Sequence, residues 1–331
     1  MHRIDELIKQ IKAAVDSHCL GRTGEYARWI IKEPNRNMGL NEYGCADAAN
    51  ILYTLCEFPA IAEERAKWVG VLQSFQNEDT GMFSERTHFP LHTTAHCTAA
   101  LELFEAKPKY RFKQLEAEIK KRGIENFLDG LDWINDPWSN SHLGAGIYAS
   151  LKLVGDMTPE LEERYFTWLW NESDPETGLW RKDSVQSGNA PIYYHMASTF
   201  HYLFNHEYAR RPIPYPERLV DTCLDMYYNS LLREDFGKTV SFLEMDWVYC
   251  LNRAMRLSGY RIAEGRAALK GFADEFIEYL YSIDKERDTA WDDLHNLFGT
   301  LCALAELEQA LYGYIITDKP LRLVLDRRPF I

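Results

Sequence analysis

Six stretches of this chain repeat one another at a spacing close to fifty residues. EYGCADAANILY begins at 42, HTTAHCTAALEL at 92, HLGAGIYASLKL at 142, HMASTFHYLFNH at 195, DWVYCLNRAMRL at 246 and HNLFGTLCALAE at 295, so starts fall 49 to 53 residues apart. Nine residues into each copy stands a large apolar side chain: Ile51, Leu101, Leu151, Phe204, Met255 or Leu304. Three to five residues in, small residues dominate (Cys45, Ala46, Ala95, Ala145, Gly146, Ser198, Thr199, Cys250, Gly299), as close helix packing requires. A period of this length marks an array of supersecondary units or a closed ring of them.

Between the copies lies a second, more charged helical pattern, at about 3–16, 60–76, 112–130, 158–170, 215–232 and 264–282. Pro159 and Pro216 sit in the first turn of two of these, where a missing N–H costs nothing. Apolar spacing is helical almost throughout, and strand-like alternation is confined to the tail YIITDKPLRLVL. The unit is therefore a helical hairpin pairing a polar-faced helix with a small, apolar one. Six of them predict an all-α, (α/α)6 toroid with inner and outer six-helix barrels, in one domain over residues 1–331 with a short tail from about 313. An open solenoid is the competing architecture, but its helices would be more equal in polarity.

Composition excludes several functions. A formal charge of −13 with no Lys/Arg-rich run repels a phosphate backbone, so no nucleic-acid partner is expected. Seven cysteines, an odd number with no CxxC pair, fall mostly in apolar helical runs and read as small hydrophobes in a reducing compartment. Charges interrupt the first nineteen residues every few positions, and no apolar run is long enough to span a bilayer. These features predict a cytoplasmic chain with no membrane contact, acting on a small molecule, with self-association into a homo-oligomer left open.

Two turns carry a family resemblance. WVGVLQSFQNEDTGMF (68–83) resembles the Gln-rich, Gly-aromatic repeat ending of terpenoid cyclases and protein prenyltransferase β subunits, and NESDPETGLW (171–180) is similar in looser form. The second also resembles the DPxTGLW turn of six-hairpin glycosidases, notably the unsaturated uronyl hydrolases, followed as there by a Gly/Asn loop and an inner helix. Both families share the six-hairpin toroid, which the resemblance therefore implies here. The isoprenoid chemistries do not carry over. The prenyltransferase zinc site needs Asp-x-Cys and a His on the next inner helix; Asp246 and His295 match, but the cysteine place is Val248. The Asp-rich cyclase motifs fail at TAWDDLHN, where Ala290 and Asn296 stand in the required acidic places.

Candidate site residues follow from the repeat. The first position of each copy reads Glu42, His92, His142, His195, Asp246 and His295, a polar set where packing would accept leucine. Glu244 and Asp293 hold equivalent places on hairpins five and six, with Asp246 and Asp292 beside them. Carboxylates on adjacent inner helices suit inverting glycoside hydrolysis, which places an acid and a base about 6.5–9.5 Å apart, and crowding raises one of the two pKa values. Expected catalytic groups are Glu244, Asp246 and Asp293, oriented by His195 and His295. Expected substrate contacts are His92, His142, Arg86, Trp138, Asn140, Trp180, Arg181, Tyr193, Tyr194, Trp247, Trp291 and Asp292, because sugar faces stack on aromatic rings while hydroxyls and carboxylates seek amides and arginine.

His88, His92 and His96 raise the question of a metal. The sequence has no HExxH glutamate and no Cys/His quartet, His88 precedes Pro90 and falls before the helix, and His96 aligns with the packing positions Gly146, Thr199 and Gly299. No metal and no cofactor is therefore expected. The leading expectation is a hydrolase of a small neutral or acidic saccharide. The alternatives are a uronate lyase using Tyr194 or His195, an isoprenoid cyclase or transferase, and a non-catalytic binding toroid.

Overall fold

The computed structural model describes residues 1–34, 36–284 and 289–331. The described residues form fifteen α-helices: α1 (Asp5–Ser17), α2 (Glu42–Thr54), α3 (Ala62–Ser74), α4 (Pro90–Leu103), α5 (Lys113–Arg122), α6 (Ile124–Asp129), α7 (Pro137–Val154), α8 (Pro159–Glu172), α9 (Ser184–Ser187), α10 (Ile192–Ala209), α11 (Pro216–Tyr228), α12 (Leu243–Ser258), α13 (Ile262–Ser282), α14 (Leu294–Ala310) and α15 (Val324–Arg327). The two short strands β1 (His2–Arg3) and β2 (Ile315–Ile316) pair in parallel and tie the start of the chain to its tail. No helix among the described residues is long and apolar enough to cross a membrane.

The six repeat copies are α2, α4, α7, α10, α12 and α14. Each packs on the next in chain order, and α14 packs on α2. Along α4 and α14 nearly every residue is buried, and α10 is buried without a break from His195 to His206, as for helices with neighbours on all sides, whereas α1 buries only the stripe Leu7, Ile11 and Val15. Close approach explains the small residues: a Cβ on Gly299 of α14 would lie 2.8 Å from the Phe242 ring. The third polar-faced helix, expected as one element over 112–130, is broken into α5 and α6 at Gly123, whose φ of +74° ends one helix and admits the next.

The turns at 77–83 and 174–180 are the same structural device used twice. The Asn77 carboxamide oxygen accepts from the Asp79 and Thr80 amides, and the Asp174 carboxylate accepts from those of Glu176 and Thr177. Gly81 N–H donates to Asn77 and Gly178 N–H to Asp174, each at 2.8 Å, and both glycines have positive φ. The following aromatic residues, Phe83 and Trp180, donate their amides to threonine hydroxyls on inner helices, Thr94 at 3.0 Å and Thr199 at 3.1 Å. These turns thus pin the end of α3 to α4 and the end of α8 to α10.

The tail packs against α2, α4 and α10. Arg328, Phe330 and Ile331 are buried; Arg328 donates to Asn50 of α2, and Phe330 meets the rings of His92 on α4 and Phe204 on α10. A buried charge cluster holds it there. Arg253 of α12 pairs with Glu306 of α14 through Nε and Nη2 (2.6 and 2.9 Å), and also with Glu207 of α10 and Asp326 of α15.

Two stability outcomes follow. Arg253→Met leaves Glu306 buried without its partner and should cost about 3–5 kcal/mol in denaturant unfolding, with much of that recovered in the Arg253→Met/Glu306→Leu double variant. Gly81→Ala, whose Cβ would lie 1.8 Å from the Arg111 carbonyl oxygen, should cost about 2 kcal/mol or more. Gly70→Ala, with open space in the middle of α3, should instead stabilise by about 0.5–1 kcal/mol in the same assay.

Candidate functional site

Four of the six repeat-position residues line one cavity of about 520 Å³: His92, His142, Asp246 and His295. This is within the roughly 300–1,000 Å³ typical of small-molecule sites. Trp138 and His201 join them from the inner helices, Arg28, His88, Arg233 and Ser241 from the connections, and Ile331 from the tail.

The histidines are packed ring against ring. His88 lies before α4 yet folds back onto it, with ring centroids 4.7 Å from His92 and 5.1 Å from His295. His142 approaches His92 to 4.4 Å, and Tyr43 stacks on His88 and His96. Burial pushes His88, His92 and His142 down in pKa, and neighbouring histidines push the same way, so all three are neutral at ordinary pH.

Behind them stands Asp47 of α2, fully buried, with its carboxylate 2.8 Å from His96 Nε2 and 3.2 Å from His295 Nδ1. Burial alone would raise the Asp47 pKa; His295 and His96 outweigh that and hold it below the usual carboxylate range. Burial lowers His96 to about 4 against the opposing pull of Asp47. Arg28 makes a bidentate pair with Asp293 (2.8 and 2.9 Å), which keeps the guanidinium charged in spite of its burial.

The expected acid trio is divided. Asp246 faces the cavity, and neither of its carboxyl oxygens has a hydrogen-bond partner among the described residues. Burial first, and then the charge of Glu244, raise its pKa well above the ordinary value. Glu244 is buried and not part of the cavity lining; it accepts from Gly237 N–H (3.0 Å) and Ser241 O–H (2.5 Å) and so shapes the loop before α12. Burial raises its pKa while those two bonds oppose the shift. Asp293 caps α14 through the His295 amide and holds Arg28, so both of its roles are positional.

Several expected substrate contacts belong to packing instead. Trp180 is fully buried, donates Nε1–H to Leu169 and stacks on His206; Trp247 donates to Cys223 and stacks on Tyr227 between α11 and α12. Each ring sits between a repeat-copy helix and the polar-faced helix before it. Arg181 is engaged by Glu172 and Asp129 beside Trp168. Asp292 accepts from the Ile30 and Ile31 amides and from Arg36, and with Trp291 it lines a separate cavity of about 250 Å³.

Asn140 is used locally, accepting from the Asp132 amide and donating to the Asp136 carbonyl. Arg86 is an exposed residue outside the cavity lining. Tyr194 stands against Trp138 with ring centroids 5.5 Å apart, and Tyr193 packs edge-on to Tyr194. His195 is buried and its place in the lining is taken by His201, six residues later, which bonds Ser141 and the Ala197 carbonyl. Arg28, Tyr43, Asp47, His201 and Arg233 were not singled out in the sequence: Arg28 and Arg233 lie in connections with no repeat counterpart, and Tyr43, Asp47 and His201 lie off the repeat's first position.

No protein-family model matches the chain, and neither a curated protein nor a solved structure does.

Asp246 allows a direct check. A carboxyl whose pKa is raised on folding favours the native state below its unfolded pKa and opposes it as pH rises toward the folded value. Asp246→Asn, which keeps shape and removes the ionisation, should raise the urea midpoint at neutral pH and flatten its decline from mildly acidic to neutral pH. An unchanged midpoint and slope would mean that Asp246 is ionised in the native protein.

Proposed function

We propose that the chain is an (α/α)6 toroid whose cavity is the funnel of a carbohydrate-active enzyme, acting as a glycoside hydrolase on a small neutral or acidic saccharide. The closed succession of contacts through α2, α4, α7, α10, α12 and α14 supports the toroid, as does the burial of these helices on all sides. The observation that carries the functional reading is Asp246: an unpartnered, buried carboxyl with a raised pKa in a polar cavity. A carboxylic acid that stays protonated at neutral pH is the proton donor that glycosidic oxygen requires.

The rest of the cavity suits the same substrate class. Trp138 offers an apolar face for a sugar ring, the neutral histidines offer both donors and acceptors for hydroxyls, and Arg28 and Arg233 supply positive charge for a carboxylate. An isoprenoid would find too many polar groups here. Asp293, fixed by Arg28, positions the His295 end of the funnel, and Glu244 positions the loop that closes one wall.

Turnover of aryl glycosides and of unsaturated uronyl disaccharides tests this reading. Asp246→Asn should lower kcat by about 10²–10⁴-fold at little cost in KM. Hydrolysis undiminished by that substitution would remove Asp246 as the donor. Release of an unsaturated uronate from a saturated polymer would move the chemistry to elimination, and failure to bind any sugar would remove the substrate class.

A further inference from the structure

His88, His92 and His295 each present a nitrogen such that the three atoms lie within 4.8 Å of one another. They come from three places in the chain: the loop before α4, the first turn of α4, and the first turn of α14. In each ring Nδ1 is already occupied. That of His88 lies 2.8 Å from Thr87 Oγ1, that of His92 lies 2.5 Å from the Tyr43 hydroxyl, and that of His295 lies 3.2 Å from both oxygens of Asp47. No hydrogen bond among the described residues engages the three Nε2 atoms.

The Nδ1 partners are all oxygens that can accept. Thr87 can pass its own proton to Glu85, Tyr43 can pass its proton to Thr93 at 3.3 Å, and the Asp47 carboxylate has no proton to give. Each ring therefore has reason to carry its hydrogen on Nδ1 and to leave its Nε2 lone pair without a hydrogen-bond partner among the described residues. An oxygen that fixes the tautomer from behind, one of them a carboxylate, is the outer arrangement found around histidines that bind metals.

We propose that His88, His92 and His295 form a three-histidine site for a divalent transition metal of the zinc class, bound through Nε2 and open on its fourth side to the funnel. Zinc–nitrogen bonds of about 2.1 Å in tetrahedral geometry set ligand atoms about 3.4 Å apart, so the rings need to close by about an ångström or less each. Neutral imidazoles without thiolates suit zinc, cobalt or nickel over calcium or magnesium. Asp47 supplies negative charge directly behind His295. This departs from the expectation of no metal, which rested in part on His88 lying before the helix: it does lie there, with its ring stacked on that of His92.

Asp47, His96 and His295 form a second convergent set. It is satisfied internally, because both histidines already bond the carboxylate that would have to turn to the ion. The site is independent of the saccharide reading, since an ion could bind whatever the substrate.

Titration of the chelator-treated full chain with Co2+ and Zn2+ tests it, read by visible cobalt absorption and by bound metal after gel filtration. The wild type should bind one equivalent with the absorption of a tetrahedral nitrogen site. His88→Ala, in a loop whose loss of one ring should leave the thermal melt in place, should weaken binding about a hundredfold or more. Tyr43→Phe, which touches no metal, should weaken it about 10–100-fold, and His96→Gln should leave it within a few-fold. Absence of stoichiometric binding, binding indifferent to His88→Ala, or binding lost in His96→Gln while kept in His88→Ala would each overturn the proposal, the last by moving the ion to the Asp47 set.

Discussion

One buried carboxylate joins the beginning of the chain to its end. Asp47 on α2 bonds His96 on α4 and His295 on α14, so the first, second and last repeat copies meet at a single charge. An unpartnered ion at zero exposure would be several kcal/mol unfavourable, and the hydrogen bonds of both histidines relieve it. The requirement falls where α14 must return to α2 for the succession of contacts to close. Fold and site therefore share a component: the group that favours closure also orients His295 toward the cavity.

The same economy recurs across the mouth. Arg28 and Asp293 join the connection before α2 to the start of α14, and Glu244 ties the 237–241 loop to α12. These acids were legible as acids on adjacent inner helices, but not as occupied ones. Their partners lie in segments with no counterpart in the other repeats. Asp246 differs only in having no such loop partner, and that difference makes it the group with chemistry to offer.

What the repeat made legible was the inner helices and four residues of the cavity, because a period imposed on packing also imposes which side of each helix faces inward. It failed where local geometry broke the period. The register of the fourth copy, aligned on His195, put one histidine in the lining where the structure uses His201. Trp180 and Trp247 were indistinguishable by type from Trp138; only their indole N–H bonds to backbone carbonyls of outer-layer segments reveal a packing role. His88 was set aside on a correct inference about its secondary structure, and the tail had no pattern to show that its last residues run among the inner helices. The turns that carry the resemblance join α3 to α4 and α8 to α10, away from the cavity lining, which is why they inform packing and not chemistry.

The central claim is that this cavity is a working site built from Asp246 and the surrounding histidines. A crystal structure after soaking with neutral and acidic sugars tests it most directly. The account predicts a sugar in the funnel, stacked on Trp138 and within hydrogen-bond distance of Asp246, with the His88, His92 and His295 rings converging beside it. A sugar bound elsewhere on the surface, with the funnel filled by protein side chains and the three rings turned apart, would contradict it.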